Sequence, residues 1–321
     1  MTDTPSASRG VTGLQPHHQR AGTRTLARRA WSKSPRRAHR RDHRETELSL
    51  ESTTPTPVRP IRPVAPYVGG KRNLSQRLVR LIEATPHDHY AEAFVGMGGV
   101  FLRRSMRPRF EVINDWSADV ANLFRILREH YPQFMEVLRF QITTRHEFDR
   151  LLKVDPDTLT DLQRAARFLY LQRCAFGGRV GTRHFGMDMN RARFDLTKLA
   201  PMLEDLHERL ASVVIERLPF ERFIPRYDSP ETLMFLDPPY WGNETDYGDG
   251  LFSRADFDRL RGLLEGLKGR FILTINDVPA VRELFASPAF HIEPVGVTYR
   301  LSGAPTEARE LIITGGGYAA A

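Results

Sequence analysis

The residues Asp237-Pro238-Pro239-Tyr240 end the short apolar run "LMFL". Pro238 has no backbone donor, has a fixed φ, and pushes Asp237 out of the helical region. The loop is therefore stiff, and the Asp237 carboxylate and the Pro238 carbonyl form a two-acceptor clamp. A flat amino group with two N–H donors satisfies both acceptors. Tyr240 adds a face for stacking, worth about 1–3 kcal/mol for a nucleobase. As a plain turn the stretch is poor, because it leaves a carboxylate at the rim of a core. As a site it is coherent, a seat for a planar heterocycle that carries an amino group.

A second constellation lies upstream. "AEAFVGMGGVFL" places Gly96, Gly98 and Gly99 between a strand and a following helix. Glycines there permit a tight turn and close approach of backbone to a ligand. Asp115 follows Gly96 by 19 residues, at the end of the next apolar run. An acid at that spacing commonly bonds ribose hydroxyls, so turn and acid together point to a nucleoside cofactor. The pattern is not G-x-G-x-x-G, and a dinucleotide is not specified. "PYVGGK" supplies two more glycines and Lys71 before a helix, a further place to hold a carboxylate or phosphate; taken alone, Lys71 reads as a solvated lysine.

These residues need a frame. "NLSQRLVRLIEA" spaces Leu74, Leu78, Leu81 and Ile82 at helical intervals, with Asn73 as N-cap. "HYAEAF" and "FEVIND" read as strands, and "GGVFLRRS" and "SADVANLFRILREHY" as the helices after them, the second capped by Ser117. That alternation predicts an α/β fold with a parallel sheet. Residues 126–212 change character: "HEFDRLLKV", "LTDLQRAARFLYLQRCAF" and "LTKLAPMLEDLHERLAS" predict a mainly helical insertion. Strands resume with "VVIERL", "LMFLD" and "RFILTIN", and "IEPVGVTYRL" with "ARELIITG" predicts an antiparallel hairpin at the sheet edge. Asn276 at the end of "RFILTIN" reads equally as pocket lining or as a cap for the next helix. Trp241 reads equally as pocket wall or as packing.

Charge needs dissection before it says anything about partners. The net charge is +8. Residues 1–62 hold 13 Lys and Arg against 5 Asp and Glu, which leaves 34 basic and 34 acidic residues in the remainder. The excess is in the first segment, which has no apolar period to bury and reads as a disordered basic tail. A translation start placed too far upstream is the other reading. The single cysteine, Cys174, excludes an internal disulfide framework and a Cys-rich zinc site, and fits a reducing cytoplasm. No apolar run reaches the length of a membrane-spanning helix.

With "PYVGGK", "AFVGMGGVF", an insertion and "DPPY" in that order, residues 64–315 resemble the DNA adenine-N6 methyltransferases of the Dam, or D12, class. "LYLQRCAFGGRVG" and "TINDVPAVRELF" are similar to its phage and prophage branch. The resemblance implies a Rossmann-like S-adenosylmethionine-dependent methyltransferase sheet over 63–125 and 213–317, with an inserted helical target-recognition domain over 126–212. It implies S-adenosylmethionine contacts at Tyr67, Lys71, Glu92, Phe94, Gly96, Asp115 and Asp237. It places Pro238, Pro239 and Tyr240 with Asp237 in the catalytic loop that receives a flipped adenine. The Arg-rich stretch containing Arg173, Arg179, Arg183, His184, Arg191 and Arg193 is expected to meet double-stranded DNA; a solvated basic loop is the alternative. A monomer is expected, bacterial or phage-encoded, needing no metal and paired with a cognate restriction endonuclease. A cytosine-N4 methyltransferase or a catalytically silent prophage-derived DNA-binding protein are the rival readings. The former usually carries Ser in place of Asp237.

Overall fold

The computed structural model describes residues 55–181, 183–186, 192–248, 250–299 and 306–316. Its strands, in chain order, are β1 (Thr56–Pro57), β2 (His89–Glu92), β3 (Met106–Arg107), β4 (Phe110–Asn114), β5 (Val214–Glu216), β6 (Thr232–Leu236), β7 (Arg270–Asn276), β8 (Phe290–Tyr299) and β9 (Thr306–Gly315). Its helices are α1 (Ser75–Ala84), α2 (Ala118–Glu129), α3 (Tyr131–Leu138), α4 (Arg145–Lys153), α5 (Asp161–Cys174), α6 (Leu196–Leu210), α7 (Phe220–Tyr227), α8 (Arg254–Glu265) and α9 (Pro279–Leu284).

Seven strands form one sheet in the order β5-β4-β2-β6-β7-β9-β8. The first five are parallel, and β9 and β8 are antiparallel to their neighbours. The hairpin expected at the edge is present, with its second strand placed inside its first. A parallel strand must be covered on both faces, and β6 is buried along its whole length. Its alternation sorts the two faces: Leu233 and Phe235 join the core that includes α1, α2, α5 and α6, while Met234 and Leu236 join the one under α7, α8 and α9. Each such side chain contributes about 1.5–3 kcal/mol by leaving water.

The five helices α2 to α6 lie between β4 and β5 in the chain. They do not build a core of their own, since Phe168 and Leu203 share one cluster with the sheet residues Leu233 and Ile113. A boundary at residue 126 cuts α2, whose buried stripe of Val120, Leu123, Phe124 and Leu127 runs across it.

Several local expectations are corrected. The order does not begin at residue 63. β1 pairs with β3, Val58 N–H donates to the Ser105 carbonyl at 2.8 Å, and Ile61 is buried. A Pro-rich segment docked by backbone bonds and one apolar side chain leaves no periodic signal. Residues 1–54 lie outside the described residues. "GGVFLRRS" makes turns and one 3-10 turn, Phe101–Arg103, instead of an α-helix. The chain turns inward there to deliver Arg104, which stacks 3.7 Å from the Tyr90 ring centroid and bonds buried Glu111 at 2.8 Å. Asn73 does not cap α1; its Nδ2 donates to the Thr298 carbonyl at 2.6 Å, tying the helix start to β8. Ser117 occupies the cap position of α2 without a side-chain cap bond.

Candidate active site

The chain runs outward through β2, β4 and β5, then returns to build β6 and β7 on the other side of β2. The order reverses between β2 and β6. In open α/β sheets ligands bind beyond the carboxyl ends of the strands at such a point. Glu92 ends β2, and Asp237 directly follows β6, with Glu92 level with Phe235 in the ladder. Together they face a cavity of about 1160 Å³. Tyr67, Lys71, Phe94, Gly96, Asp115 and Pro239 line the same cavity. Residues from three distant motifs are therefore gathered at one place.

Lys71 is the hub of the inner wall. It is 4% exposed. Its Nζ lies 2.7 Å from Asp237 Oδ1 and 3.7 Å from Glu310 Oε2, donates to the Tyr240 hydroxyl, and sits 4.3 Å from that ring's centroid. The reading as a solvated lysine is thus replaced by a buried ammonium. Thr274 Oγ1 donates to the same Asp237 Oδ1 at 2.9 Å. Among the described residues no hydrogen bond reaches Asp237 Oδ2. One oxygen of the carboxylate is held by two donors, and the other is left toward the cavity. Burial raises the Asp237 pKa to about 6, against the opposing pull of the Lys71 ammonium. Glu310 and Thr274 were not found from sequence. Both sit inside strands with ordinary strand neighbours, and only the pairing of β9 with β7 and of β7 with β6 brings them to Asp237.

The glycine turn is built as expected. Gly96 has φ +51°, and a Cβ there would meet the Tyr67 ring at 3.0 Å. Gly96 N–H donates to Asp115 Oδ2 and Ser117 N–H to Asp115 Oδ1, each at 2.9 Å. The acid thus holds its own turn and still has acceptor capacity for a hydroxyl. Burial raises its pKa to about 6, opposed by those two amides. Phe94 packs with Phe220 and Phe252 at one side of the cavity. Glu92 is buried, and its Oε2 accepts from the Tyr90 hydroxyl at 2.6 Å. Burial raises its pKa to about 8, against the Tyr90 hydrogen bond and the positive charge of Arg104.

The loop after the clamp is pinned from β7. Asn276 Oδ1 accepts from Trp241 N–H at 2.9 Å, and its Nδ2 donates to the Trp241 carbonyl at 3.0 Å. Trp241 itself packs on Phe257 and under the Arg254 guanidinium, which makes it packing that fixes Tyr240 in place.

The arginines separate. Arg173 bonds the Arg193 and Val64 carbonyls. Arg183 reaches Gln172 and lies 5.7 Å from the Phe168 ring centroid; burial lowers its pKa. Arg193 bonds the Ala175 carbonyl. Arg179 is exposed, as is Phe176 three residues before it, at 47%. Arg191 lies outside the described residues.

A mostly parallel sheet with its cavity at the order reversal, a glycine turn backed by a strand-end acid and a second strand-end carboxylate opposite make a nucleoside-cofactor site of the kind the S-adenosylmethionine-dependent methyltransferases use. The residues fit that cofactor: Gly96 and Gly99 bring backbone to the cavity wall, and the carboxyl groups of Glu92, Asp115 and Asp237 line the same cavity, which suits a nucleoside ligand that carries positive charge. The model of the D12 class N6 adenine-specific DNA methyltransferases matches residues 67–301, and the chain belongs to that family. It is 28% identical over 271 residues to the Type II methyltransferase M1.LlaDCHI of Lactococcus lactis subsp. cremoris, covering 77% of this chain and 93% of that protein. It is 22% identical to the Type II methyltransferase M.CviBI of Paramecium bursaria Chlorella virus NC1A, covering 69% and 85% of the two chains. It is 25% identical to the DNA N-6-adenine-methyltransferase of Escherichia phage P1, across 71% of this chain and 32% of that one.

Proposed function

We propose that the cavity at the β2–β6 reversal carries out methyl transfer to N6 of adenine in DNA, with Asp237, Pro238, Pro239 and Tyr240 as the seat of the flipped base. The observation that supports this most is the division of the Asp237 carboxylate. Oδ1 is occupied by Lys71 and Thr274, while Oδ2 stays toward the cavity that the glycine turn also lines. S-adenosylmethionine supplies an activated methyl group.

The amino nitrogen of adenine is a poor nucleophile, because its lone pair is delocalised into the ring. Asp237 Oδ2 and the Pro238 carbonyl accept hydrogen bonds from its two N–H groups. That favours a more tetrahedral nitrogen and stabilises the positive charge that develops on it. Once the methyl has moved from sulfur to nitrogen, one of those protons leaves to Asp237 or to water. Lys71 keeps Asp237 ionised and oriented. Tyr240 supplies the stacking face, and its hydroxyl is held by Lys71. A base inside a duplex cannot reach this seat, so it must leave the stack.

Tyr67, Glu92, Phe94, Gly96 and Asp115 hold the cofactor in this reading. The helices between β4 and β5 serve target recognition. Arg179 and Phe176 are the side chains suited to DNA, one cationic and one aromatic, both exposed on one loop. Arg173 and Arg183 act by shaping that loop, since their guanidinium groups are engaged within the fold. In this reading the protein is a bacterial or phage-encoded cytoplasmic monomer paired with a cognate restriction endonuclease, a role in keeping with relatives named Type II methyltransferases. No helix of the described residues is long and apolar enough to cross a membrane.

Asp237→Ala, assayed with tritiated cofactor on duplex DNA, should lose about 10²-fold or more in rate, as expected for removal of a transition-state acceptor. A rate near wild type would overturn the assignment of the clamp. Arg179→Ala should weaken DNA binding and lower its salt dependence by about one phosphate contact, while leaving cofactor binding unchanged. Unchanged DNA affinity would remove this loop from the interface.

A further inference from the structure

One of the carboxyl groups placed around the cofactor has no part in the methyl-transfer step itself. Glu92 is 2% exposed and ends β2. Among the described residues its one hydrogen-bond partner is the Tyr90 hydroxyl, on Oε2. The charged groups around it are spent elsewhere or have the wrong sign. Arg104 lies over the Tyr90 ring, 3.7 Å from its centroid, and its ion pair is with Glu111 of β4, not with Glu92. Arg209 of α6 also bonds Glu111. Asp237, after β6, is a like charge, and the nearby Lys71 ammonium is bound to it. A buried carboxylate with no cation in contact is costly, and such a group takes a proton instead.

We propose that Glu92 is a charge gauge for the cofactor: it is a neutral carboxylic acid in the free protein, and gives its proton to solvent when the positively charged sulfonium enters the cavity. The inference rests on the cavity being the S-adenosylmethionine site. The cofactor and its demethylated thioether product differ by one positive charge, at sulfur. The thioether offers Glu92 no such charge, so the carboxyl keeps its proton when product is bound. The site therefore tightens on the donor and loosens on the spent product, and the difference is set by pH. The position of the Glu92 pKa near 8 puts this window at neutral pH. Below that value, donor binding releases a proton, and its affinity rises as pH rises; above it, the carboxylate is already formed and the dependence ends.

Calorimetric titration of the full-length protein at pH 7, in buffers of different ionisation enthalpy, counts the protons. S-adenosylmethionine should release about one more proton than the thioether product, and its Kd should fall nearly tenfold per pH unit between pH 6 and 7.5 while that of the product stays flatter. Glu92→Gln should erase the difference in proton count and reduce the preference for donor over product by on the order of tenfold. Tyr90→Phe, a smaller change, removes the one hydrogen bond to the carboxylate and should move the end of the pH dependence upward. Equal proton counts for donor and product in the unaltered protein would overturn the charge gauge alone. A protein that binds neither ligand would overturn the cofactor site and the gauge with it.

Discussion

Asp237 shows how much a single carboxylate depends on its neighbours. From sequence it is an acid locked by a proline. In the fold its two oxygens have separate tasks, and Thr274 makes the separation possible by sharing Oδ1 with Lys71. Removing one donor from a charged acceptor costs about 1.5–3 kcal/mol. Thr274→Val keeps the shape and deletes that bond. It should lower kcat about tenfold with little change in cofactor Kd, because Lys71 alone then fixes Oδ1 and the carboxylate is less firmly oriented toward the base. An unchanged kcat would show that Lys71 suffices to hold the carboxylate. Both ends of the clamp were legible at this scale, because DPPY has unusual chemistry in four consecutive positions. Lys71 was legible as a residue and not as a role. A buried ammonium looks in sequence like any lysine before a helix, and its burial comes from Asp237, Tyr240 and Glu310, which are remote in the chain.

At the scale of elements, the loop holding "PYVGGK" and the loop after α5 are knitted together. Val68 N–H donates to the Gly178 carbonyl at 3.0 Å, and Gln172 Nε2 bridges the Pro66 and Gly178 carbonyls. Gly178 has φ +69°, and a Cβ there would lie 2.8 Å from the Pro66 carbonyl carbon. The cofactor loop and the loop bearing Phe176 and Arg179 are thus one mechanical unit. Gly178→Ala meets both a positive φ and a backbone clash, so it should destabilise the protein by about 1–3 kcal/mol. It should also weaken cofactor and DNA binding together, which calorimetry and a DNA mobility-shift titration would record. Loss of only one of the two would show that the loops work independently. The helices and strands themselves were largely readable, since apolar period reports burial. The loops were not, because their bonds link residues far apart in sequence, such as Val68 and Gly178, 110 positions apart. The helix expected after Gly99 failed for a related reason: the demand of Glu111 for Arg104 outweighs local helix preference.

The whole molecule carries these local choices as a pH dependence. Glu92, Asp115 and Asp237 all have carboxyl groups raised by burial, to about 8, 6 and 6. In the unfolded chain each titrates near 4. Between those values the folded state binds more protons than the unfolded one, so the stability these groups lend is present in acid and is lost as pH rises through 6 and then 8. His87 acts the other way, because burial lowers its pKa and favours folding as pH rises toward neutrality. It is one group against three. At the acid end the ion-paired carboxylates of Glu147, Asp256 and Asp277 are lowered, and their contribution disappears as pH falls through their folded values. The two trends together place the stability maximum of the free protein at about pH 4, close to the unfolded carboxyl values, with a decline toward pH 8.5. Thermal melts across that range should show it, and Glu92→Gln should flatten the upper part of the decline. Added S-adenosylmethionine should flatten it too, since a ligand that binds the ionised form stabilises the fold most where ionisation costs most. A free protein whose melting temperature rises from pH 5.5 to 8.5 would show that burial does not raise the cavity carboxyls. It would remove the energetic reason for a site that is strained when empty and relieved when filled.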